Sequence, residues 1–293
     1  MDKRQFLKCS IGALSFPLTQ TVRAASAKPL RLAVFPRRNA SVTYSMFMPF
    51  TRYLARSLER DVQLEIFKDF TSFWEEFQQK QFDIVHFNQY HYILARHQFG
   101  YQAIARNLEF GSSTIAGSII VRKDSGIEAV SDLKGKNILF GGGPRAMQSY
   151  IAPVWLLQQA GLEKGDYTER FAINPPNAVI STYLRRADAA GTGDVILRLE
   201  MVKKIIDVDA MQYLARTEPM AHLPWAVNPA IDSELKQQIQ QAMLGLKDTP
   251  VGQDILDSIR LSGLVKAEDS DYSIIEKMVR DVYGDDLGIS KLG

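Results

Sequence analysis

Short apolar runs alternate with amphipathic helical patterns over the first part of the chain. Three such runs predict strands at residues 30–35, 62–67 and 82–87. Apolar residues recur at helical spacing between them, and the second of the intervening helices is predicted over residues 70–79. Strand–helix–strand alternation of this kind predicts a parallel sheet with helices on both of its faces.

A second series of strands and helices follows after residue 117. Its predicted strands lie at residues 118–122, 138–140, 170–173, 194–197 and 211–215. The two series are joined twice, near residues 113–118 and near residues 214–220, which predicts two lobes with a cleft between them. We place the lobe boundaries at residues 28–115 plus 218–293 for the first lobe and at residues 116–217 for the second.

The last part of the chain has a helical pattern. Leu235, Ile239 and Met243 share one face of a helix for which Asp232 is the predicted N-cap. Thr249 followed by Pro250 gives a cap and a first helical residue for the next helix.

A glycine turn stands between the predicted strand at 138–140 and a helix with Ile151, Val154 and Trp155 on its apolar face. The turn reads Gly141-Gly142-Gly143-Pro144-Arg145. Glycines let the backbone come close to a ligand, a helix start offers unpaired N–H groups to an anion, and Arg145 adds a planar cation. The turn has neither P-loop nor dinucleotide-binding spacing, and a plain strand–helix connection is the alternative interpretation.

The first 27 residues have the pattern of a bacterial export signal. A basic start precedes a modest apolar segment, and Ala25-Ser26-Ala27 matches a cleavage site. Lys3-Arg4-x-Phe6-Leu7 resembles a twin-arginine signal with Lys in the first basic position, so both the Tat and the Sec route stay open. We therefore expect an exported, periplasmic protein.

Charge and composition exclude several classes of function. The whole chain carries 35 Lys and Arg against 33 Asp and Glu, a net charge of +2. Cleavage after Ala27 removes four basic residues and one acidic residue, which leaves about −1 and argues against nucleic acid or an anionic membrane as a partner. No later apolar run approaches the length of a transmembrane helix, so we expect no stable membrane insertion. The single cysteine, Cys9, leaves with the signal, so no disulfide or thiolate site is expected.

Catalytic and metal-binding patterns are not found either. No G-x-S-x-G or H-E-x-x-H motif occurs in the sequence. His86, His91 and His97 lack the i, i+4 spacing of a helical zinc site. We therefore expect no cofactor, no metal and no enzymatic activity.

The order of several short motifs resembles a known family. They are residues 119–125, Asp132-Leu133-Lys134-Gly135-Lys136, Pro153 with Leu156, Gly161-Leu162, Gly191 with Asp194, Leu223-Pro224-Trp225, and the late Gly263 with Asp271-Tyr272. In this order and spacing they resemble the periplasmic substrate-binding proteins of phosphate, phosphite and phosphonate ABC transporters. The resemblance implies an α/β, two-lobed type II periplasmic-binding fold. Each lobe would be a mixed, mostly parallel sheet flanked by helices, closing on a ligand in the cleft.

The resemblance also bears on the ligand site. Tyr92 matches the cleft tyrosine of the family, and Tyr44 lies in a region that often supplies another. The Ser-x-Ser-Gly hydroxyl cluster of the phosphonate binders is replaced by Ala146-Met147-Gln148-Ser149, and their His–acid pair corresponds to Pro176-Asn177. A small oxyanion or a larger organic anion met by Arg145 fits this sequence best.

We therefore predict a periplasmic solute-binding protein that captures a small anionic ligand for an ABC transporter permease. The predicted contacts are Tyr44, Asn88 and Tyr92 on one lobe and Gly142, Gly143, Arg145, Gln148, Ser149 and Asn177 on the other. Arg145 as a solvated turn residue, Gln148 and Ser149 as helix caps, and the tyrosines as core residues are the structural alternatives. A role in signalling to the periplasmic domain of a membrane histidine kinase is the alternative function.

Overall fold

A computed structural model of the chain describes residues 28–289. The predicted export signal at residues 1–27 lies outside them. Within residues 28–289, no helix combines the length and the apolar character that crossing a membrane requires.

Strands and helices alternate along this part of the chain. The strands are β1 (Leu30–Val34), β2 (Val62–Ile66), β3 (Ile84–His86), β4 (Gln102–Leu108), β5 (Thr114–Ile115), β6 (Gly117–Arg122), β7 (Asn137–Phe140), β8 (Thr168–Phe171), β9 (Ala189–Gly193), β10 (Met211–Arg216), β11 (Met220–Ala221), β12 (Pro224–Val227) and β13 (Gly263–Lys266). The helices are α1 (Ala40–Ser57), α2 (Phe70–Lys80), α3 (Gln89–Phe99), α4 (Ala152–Gln159), α5 (Pro175–Tyr183), α6 (Glu200–Lys203), α7 (Ser233–Leu244), α8 (Pro250–Ser258) and α9 (Ser273–Tyr283). A wide helical turn, Met147–Ile151, leads directly into α4.

The strands form two mixed sheets. The first has the order β13-β4-β12-β3-β1-β2, and the second has the order β10-β6-β9-β7-β8. The last three strands of each order, β3-β1-β2 and β9-β7-β8, are parallel to one another, as predicted from the strand–helix alternation. The remaining neighbouring pairs are antiparallel. The segments that connect the two sheets pair with each other as β5 and β11.

Short polar side chains start the helices at the ends of the parallel strands. Asp69 accepts the Ser72 N–H at 2.8 Å at the start of α2, Asn88 caps α3, and Asn174 caps α5. The predicted caps of the late helices are confirmed, since Asp232 accepts the Leu235 N–H and Thr249 accepts the Gly252 N–H.

The core lies on both faces of each sheet. One face of the first sheet packs against α1, α7 and α8 through residues such as Phe50, Trp225 and Met243, which are fully buried. Helix α9 packs against α3 of the first lobe and also against α4 of the second. The Trp155 indole N–H donates to the Asp281 carboxylate at 2.9 Å across this contact. The lobes are therefore joined by α9 as well as by the two connecting segments.

The strand predicted at residues 194–197 is wrong. The strand of this region is β9, and the chain after it turns through a short 3-10 segment, Ile196–Arg198. The β9 strand consists of small residues, and at Gly191 the reason is the packing of Phe140: a Cβ on Gly191 would lie 2.5 Å from the Phe140 Cδ1. A strand made of small residues shows little of the apolar pattern by which strands are predicted. The prediction therefore fell on the more hydrophobic residues 194–197 that follow β9.

The strand predicted at residues 170–173 ends earlier, at Phe171. Ile173 stands beyond it with 92% of its surface exposed. Strand β4 was not predicted at all, although it pairs with both β12 and β13.

Candidate functional site

A cavity of about 1090 Å³ lies between the two sheets. Most of its lining comes from the segments that follow three parallel strands in each sheet, β1, β2 and β3 in the first and β7, β8 and β9 in the second. The carboxyl ends of parallel strands are where α/β proteins place their ligand sites. Two such edges face each other here.

Helix starts also converge on this cavity. The first residues of α2, α3 and α5 line it, as does the start of the helix that runs from Met147 to Gln159. Each helix start carries partial positive charge from the helix dipole, although α5 begins with two prolines and so contributes no N–H donors from those residues. The cavity is therefore suited to an anion.

The glycine turn fits tightly into its surroundings. The Gly141 N–H donates to the Gly191 carbonyl at 2.9 Å, and a Cβ on Gly141 would lie 2.5 Å from the Pro175 Cα. A Cβ on Gly142 would lie 2.9 Å from the Ser149 Oγ, whereas Gly143 faces open space. None of these three glycines has a positive φ. The first two are thus explained by close packing, not by left-handed backbone.

The helix after this turn begins with unpaired donors. The Tyr150 and Ile151 N–H groups both donate to the Ala146 carbonyl, at 3.0 and 3.1 Å. The N–H groups of residues 147–149 have no acceptor within the described chain. Three backbone donors at the wall of the cavity are therefore free for a ligand.

Two carboxamide side chains face the cavity from opposite lobes with unsatisfied polar atoms. Neither polar atom of the buried Gln148 amide has a hydrogen-bond partner among residues 28–289. Gln89 is fully buried, and its Nε2 donates to the Ala221 carbonyl at 3.1 Å, but its Oε1 lacks a donor there. A buried polar group without a partner costs about 1–3 kcal/mol, which a bound ligand would recover.

Arg145 supplies a positive charge beside these donors. Its guanidinium has no carboxylate within salt-bridge distance in the part of the chain that the structure describes. Burial, and to a lesser extent the charge of Arg145, lowers the pKa of His91 to about 3. The positive charge of Arg145 thus acts on the buried His91 of the opposite lobe.

A second arginine of the cavity is already paired. Glu109 lies 3.6 Å from the Arg37 guanidinium and 3.3 Å from the His222 Nε2. The His222 Nδ1 accepts the Leu223 N–H, which leaves the proton on Nε2. Burial raises the pKa of Glu109, but Arg37 and His222 outweigh it and hold the pKa at about 2. Glu109 thus stays ionised and offsets the charge of Arg37.

Six of the nine sequence-predicted contacts line one cavity. They are Asn88, Gly142, Gly143, Arg145, Gln148 and Ser149. The two lobes bring these residues together from positions more than 50 residues apart in the chain.

The other three, Tyr44, Tyr92 and Asn177, do not line the cavity. Tyr44 stands on α1 with 48% of its surface exposed. Tyr92 is fully buried, and its hydroxyl donates to the Asp269 carboxylate. The Asn177 N–H donates to the Asn174 side chain, and its own side chain is exposed. Ligand contact by these three stays a prediction for which this geometry gives no support.

Several lining residues were not predicted from the sequence. Gln89 directly follows the predicted Asn88, and Phe70 and Trp74 follow β2. Applying the carboxyl-end rule to every parallel strand would have selected Gln89 and Phe70. No sequence signal indicated that Arg37 is paired with Glu109, because that contact joins segments 72 residues apart.

The chain has close structural relatives. It superimposes on PhnD1 from Prochlorococcus marinus in complex with methylphosphonate with a TM-score of 0.74 at 19% identity, covering 88% of this chain and 99% of that one. A Xanthomonas citri protein bound to ATP gives 0.74 at 15% identity, with 87% and 96% covered. A binding-protein component of an ABC phosphonate transporter from Pseudomonas aeruginosa gives 0.71 at 13% identity, with 90% of each chain covered.

Two mixed sheets, joined by paired connections and separated by a cavity at their facing edges, define the type II periplasmic-binding fold. The sequence model of the phosphonate ABC transporter periplasmic substrate-binding proteins matches residues 32–272. The chain belongs to this family. The family consists of substrate-binding components of transporters, and its members are periplasmic.

Proposed function

We propose that the protein binds a phosphoryl oxyanion of the phosphonate type in the cavity and presents it to the permease of an ABC transporter. One observation carries the proposal: the unpaired N–H groups of residues 147–149, the unsatisfied Gln148 amide and the unpaired Arg145 guanidinium all line one cavity. Donors and a cation together suit a compact anion, because hydrogen bonds to a charged acceptor are roughly twice as strong as neutral ones.

In this proposal the two lobes divide the contacts. Residues 28–115 and 218–293 form the first lobe, which contributes Asn88 and Gln89. Residues 116–217 form the second, which contributes Gly142, Gly143, Arg145, Gln148 and Ser149. Tyr44, Tyr92 and Asn177 have no part in it, because they do not line the cavity.

The proposal accommodates the missing hydroxyl cluster of the phosphonate binders. Backbone donors and the Gln148 amide take the place of the two serines, and Ser149, at the position of the glycine, adds a hydroxyl at the cavity. Structural relatives hold methylphosphonate in one case and ATP in another. Both ligands present phosphoryl oxygens, which supports a phosphoryl group as the part recognised.

Transport is favoured over the signalling alternative because the family consists of ABC transporter components. Neighbouring permease and ATPase genes would support transport, whereas a neighbouring histidine kinase gene alone would support signalling. We further propose export by the Tat or Sec route and no chemical change of the ligand. Recovery of the ligand unchanged after release tests the second point.

A thermal-shift screen with isothermal titration calorimetry tests the proposal. Methylphosphonate, phosphate, phosphite, sulfate and small organic acids are added to the mature chain. A phosphonate or phosphate is expected to raise the melting temperature, since a ligand that binds only the folded state stabilises it. Failure of every phosphorus oxyanion to bind would overturn the proposal.

Replacing Arg145 by Ala tests the site itself. The substitution is expected to weaken oxyanion binding by about 2–5 kcal/mol, because it removes one partner of a desolvated charge pair. Arg170→Ala is the matched control: this exposed arginine lies on β8 of the same lobe and does not line the cavity. Equal affinity of the two variants for the oxyanion would remove Arg145 from the site.

A further inference from the structure

The cavity is larger than an oxyanion needs. Its volume of about 1090 Å³ lies just above the range for sites of drug-sized ligands, roughly 300–1000 Å³. Closure of the lobes that removed about half of this space would still leave a site within that range. The donors at residues 147–149 occupy only one part of the wall, so most of the lining is left for another part of the ligand.

The remaining space extends toward the open side of the cleft. The lobes are connected through β5 and β11, which lead into β6 and β12. In the first sheet β2 is the edge strand reached from β12 through β3 and β1, and in the second β8 is the edge strand reached from β6 through β9 and β7. The segments that follow them, with Phe70 and Trp74 on one lobe and Ile173 on the other, both line the cavity.

On the first lobe these segments form an aromatic wall, which consists of Phe35, Phe70 and Trp74. The Phe35 and Phe70 ring centroids are 5.9 Å apart. Phe70 and Trp74 lie on one face of α2, four residues apart, and both pack on the ring of His91, at 5.5 and 5.3 Å. Phe70 stacks on that ring nearly in parallel, at 16°.

The aromatic wall and Arg145 line the same cavity. His91 is fully buried and is near enough to Arg145 for the two to interact electrostatically. Because burial and Arg145 hold the pKa of His91 near 3, its ring is uncharged at neutral pH. Phe70 and Trp74 therefore pack on a neutral aromatic ring, in a cavity that the cationic Arg145 also lines.

The second lobe places an apolar side chain at the rim of the same cavity. Ile173 is 92% exposed, the most exposed of the large apolar side chains of the described chain. Pro175 and Pro176 follow it and also line the cavity. Because these prolines lack N–H groups, the start of α5 offers a ligand apolar surface rather than donors there.

We propose that the ligand carries a planar, apolar substituent on its phosphoryl group and that this substituent binds between the aromatic wall and Ile173. The oxyanion end meets Arg145 and residues 147–149, so this inference rests on the proposed function. Both an organophosphonate, with a P–C bond, and a phosphate monoester, with a P–O–C link, have this chemistry. The aromatic faces and the aliphatic Ile173 side chain contact the flat hydrocarbon surface of the substituent. The P–C or P–O–C link lies at the anion site, so the aromatic wall does not distinguish the two kinds of ligand.

Three probes test the inference by calorimetry on the mature chain: methylphosphonate, phenylphosphonate and phenyl phosphate. At least one aromatic probe is expected to bind at least about tenfold more tightly than methylphosphonate, because burial of its added hydrocarbon surface in an apolar pocket strengthens binding. The tighter of the two aromatic probes identifies the link. Methylphosphonate binding as tightly as both would overturn the substituent site and leave the proposed function intact. No binding of any probe would overturn both.

Variants at the wall and the rim separate the two subsites. Ile173→Ser and Phe70→Ala are each expected to lower the affinity for the aromatic probe by at least about threefold. The affinity for methylphosphonate should change by less than about twofold. Ile173 is exposed, so Ile173→Ser tests the proposal even if Phe70→Ala does not fold. Ile205→Ser is the matched control, because Ile205 is 60% exposed but does not line the cavity. Equal loss for both kinds of probe, or no loss in Ile173→Ser, would contradict the inference.

Discussion

At the scale of single residues, His91 has an unusual environment. It is fully buried among Phe70, Phe73 and Trp74, and neither of its ring nitrogens has a hydrogen-bond partner among residues 28–289. Burial, and then the charge of Arg145, lowers its pKa to about 3. The unfolded chain takes up a proton on this histidine near pH 6.5, whereas the folded chain does so only near pH 3. His91 therefore makes the fold less stable as the pH falls through this window.

Substitution His91→Phe should remove this pH dependence. At pH 7 the variant is expected to be as stable as the parent or slightly more stable, because two unpaired buried nitrogens are lost. At pH 5 the proton linkage adds a further advantage of about 2 kcal/mol to the variant. Urea unfolding at the two pH values measures the difference. Parallel stability–pH curves for both proteins would show that His91 does not titrate as described.

At the scale of elements, the glycine turn after β7 is defined by what it touches. Gly141 leaves no room for a side chain beside Pro175, because the start of α5 packs directly on it. Gly143, two residues later, faces open space. Neither residue has a positive φ, so alanine at either position is free of backbone strain. The two positions differ only in packing.

The pair Gly141→Ala and Gly143→Ala tests this difference. We expect Gly141→Ala to lower the free energy of unfolding by about 1–3 kcal/mol, as overpacking does. Gly143→Ala should change it by less than about 0.5 kcal/mol, since it adds a methyl group at a solvent-facing position. Chemical denaturation of the mature chain measures both. A similar loss in both variants would mean that the turn depends on glycine flexibility instead of close packing.

At the scale of the whole molecule, the unsatisfied groups lie on both sides of the cavity. Gln89 begins α3 after β3 of the first sheet, and Gln148 lies in the helical turn after β7 of the second. Each has at least one buried polar atom without a partner in the described chain. A ligand that satisfies both sides binds a closed arrangement better than an open one, and this difference in affinity is what drives closure. Helix α9 and the paired connections hold the lobes together on their other sides.

We therefore predict that a bound phosphonate makes the molecule more compact. Small-angle scattering of the mature chain should show a smaller radius of gyration with a saturating oxyanion than without it. Arg145→Ala at the same ligand concentration should keep the larger radius, because the ligand loses its main charge contact on the second lobe. An unchanged radius in the ligand-bound parent protein would indicate that the lobes do not move.

The sequence by itself determined the local features of this protein. Alternating strand and helix patterns, the caps at Asp232 and Thr249, and a site at the carboxyl ends of β3 and β7 follow from short-range spacing and backbone chemistry, which neighbouring residues control.

Only the tertiary structure decided which residues meet. Packing by Phe140 leaves no room for a side chain at Gly191 of β9, and the Tyr92 hydroxyl bonds to Asp269 instead of reaching the cavity. The apposition of the two sheets brings Phe70, Trp74 and Ile173 into the lining of one cavity. These outcomes depend on volume and on contacts between segments far apart in the chain. The hydrophobic pattern of a single segment does not indicate available volume or long-range contacts, because both are defined only once the two lobes have folded.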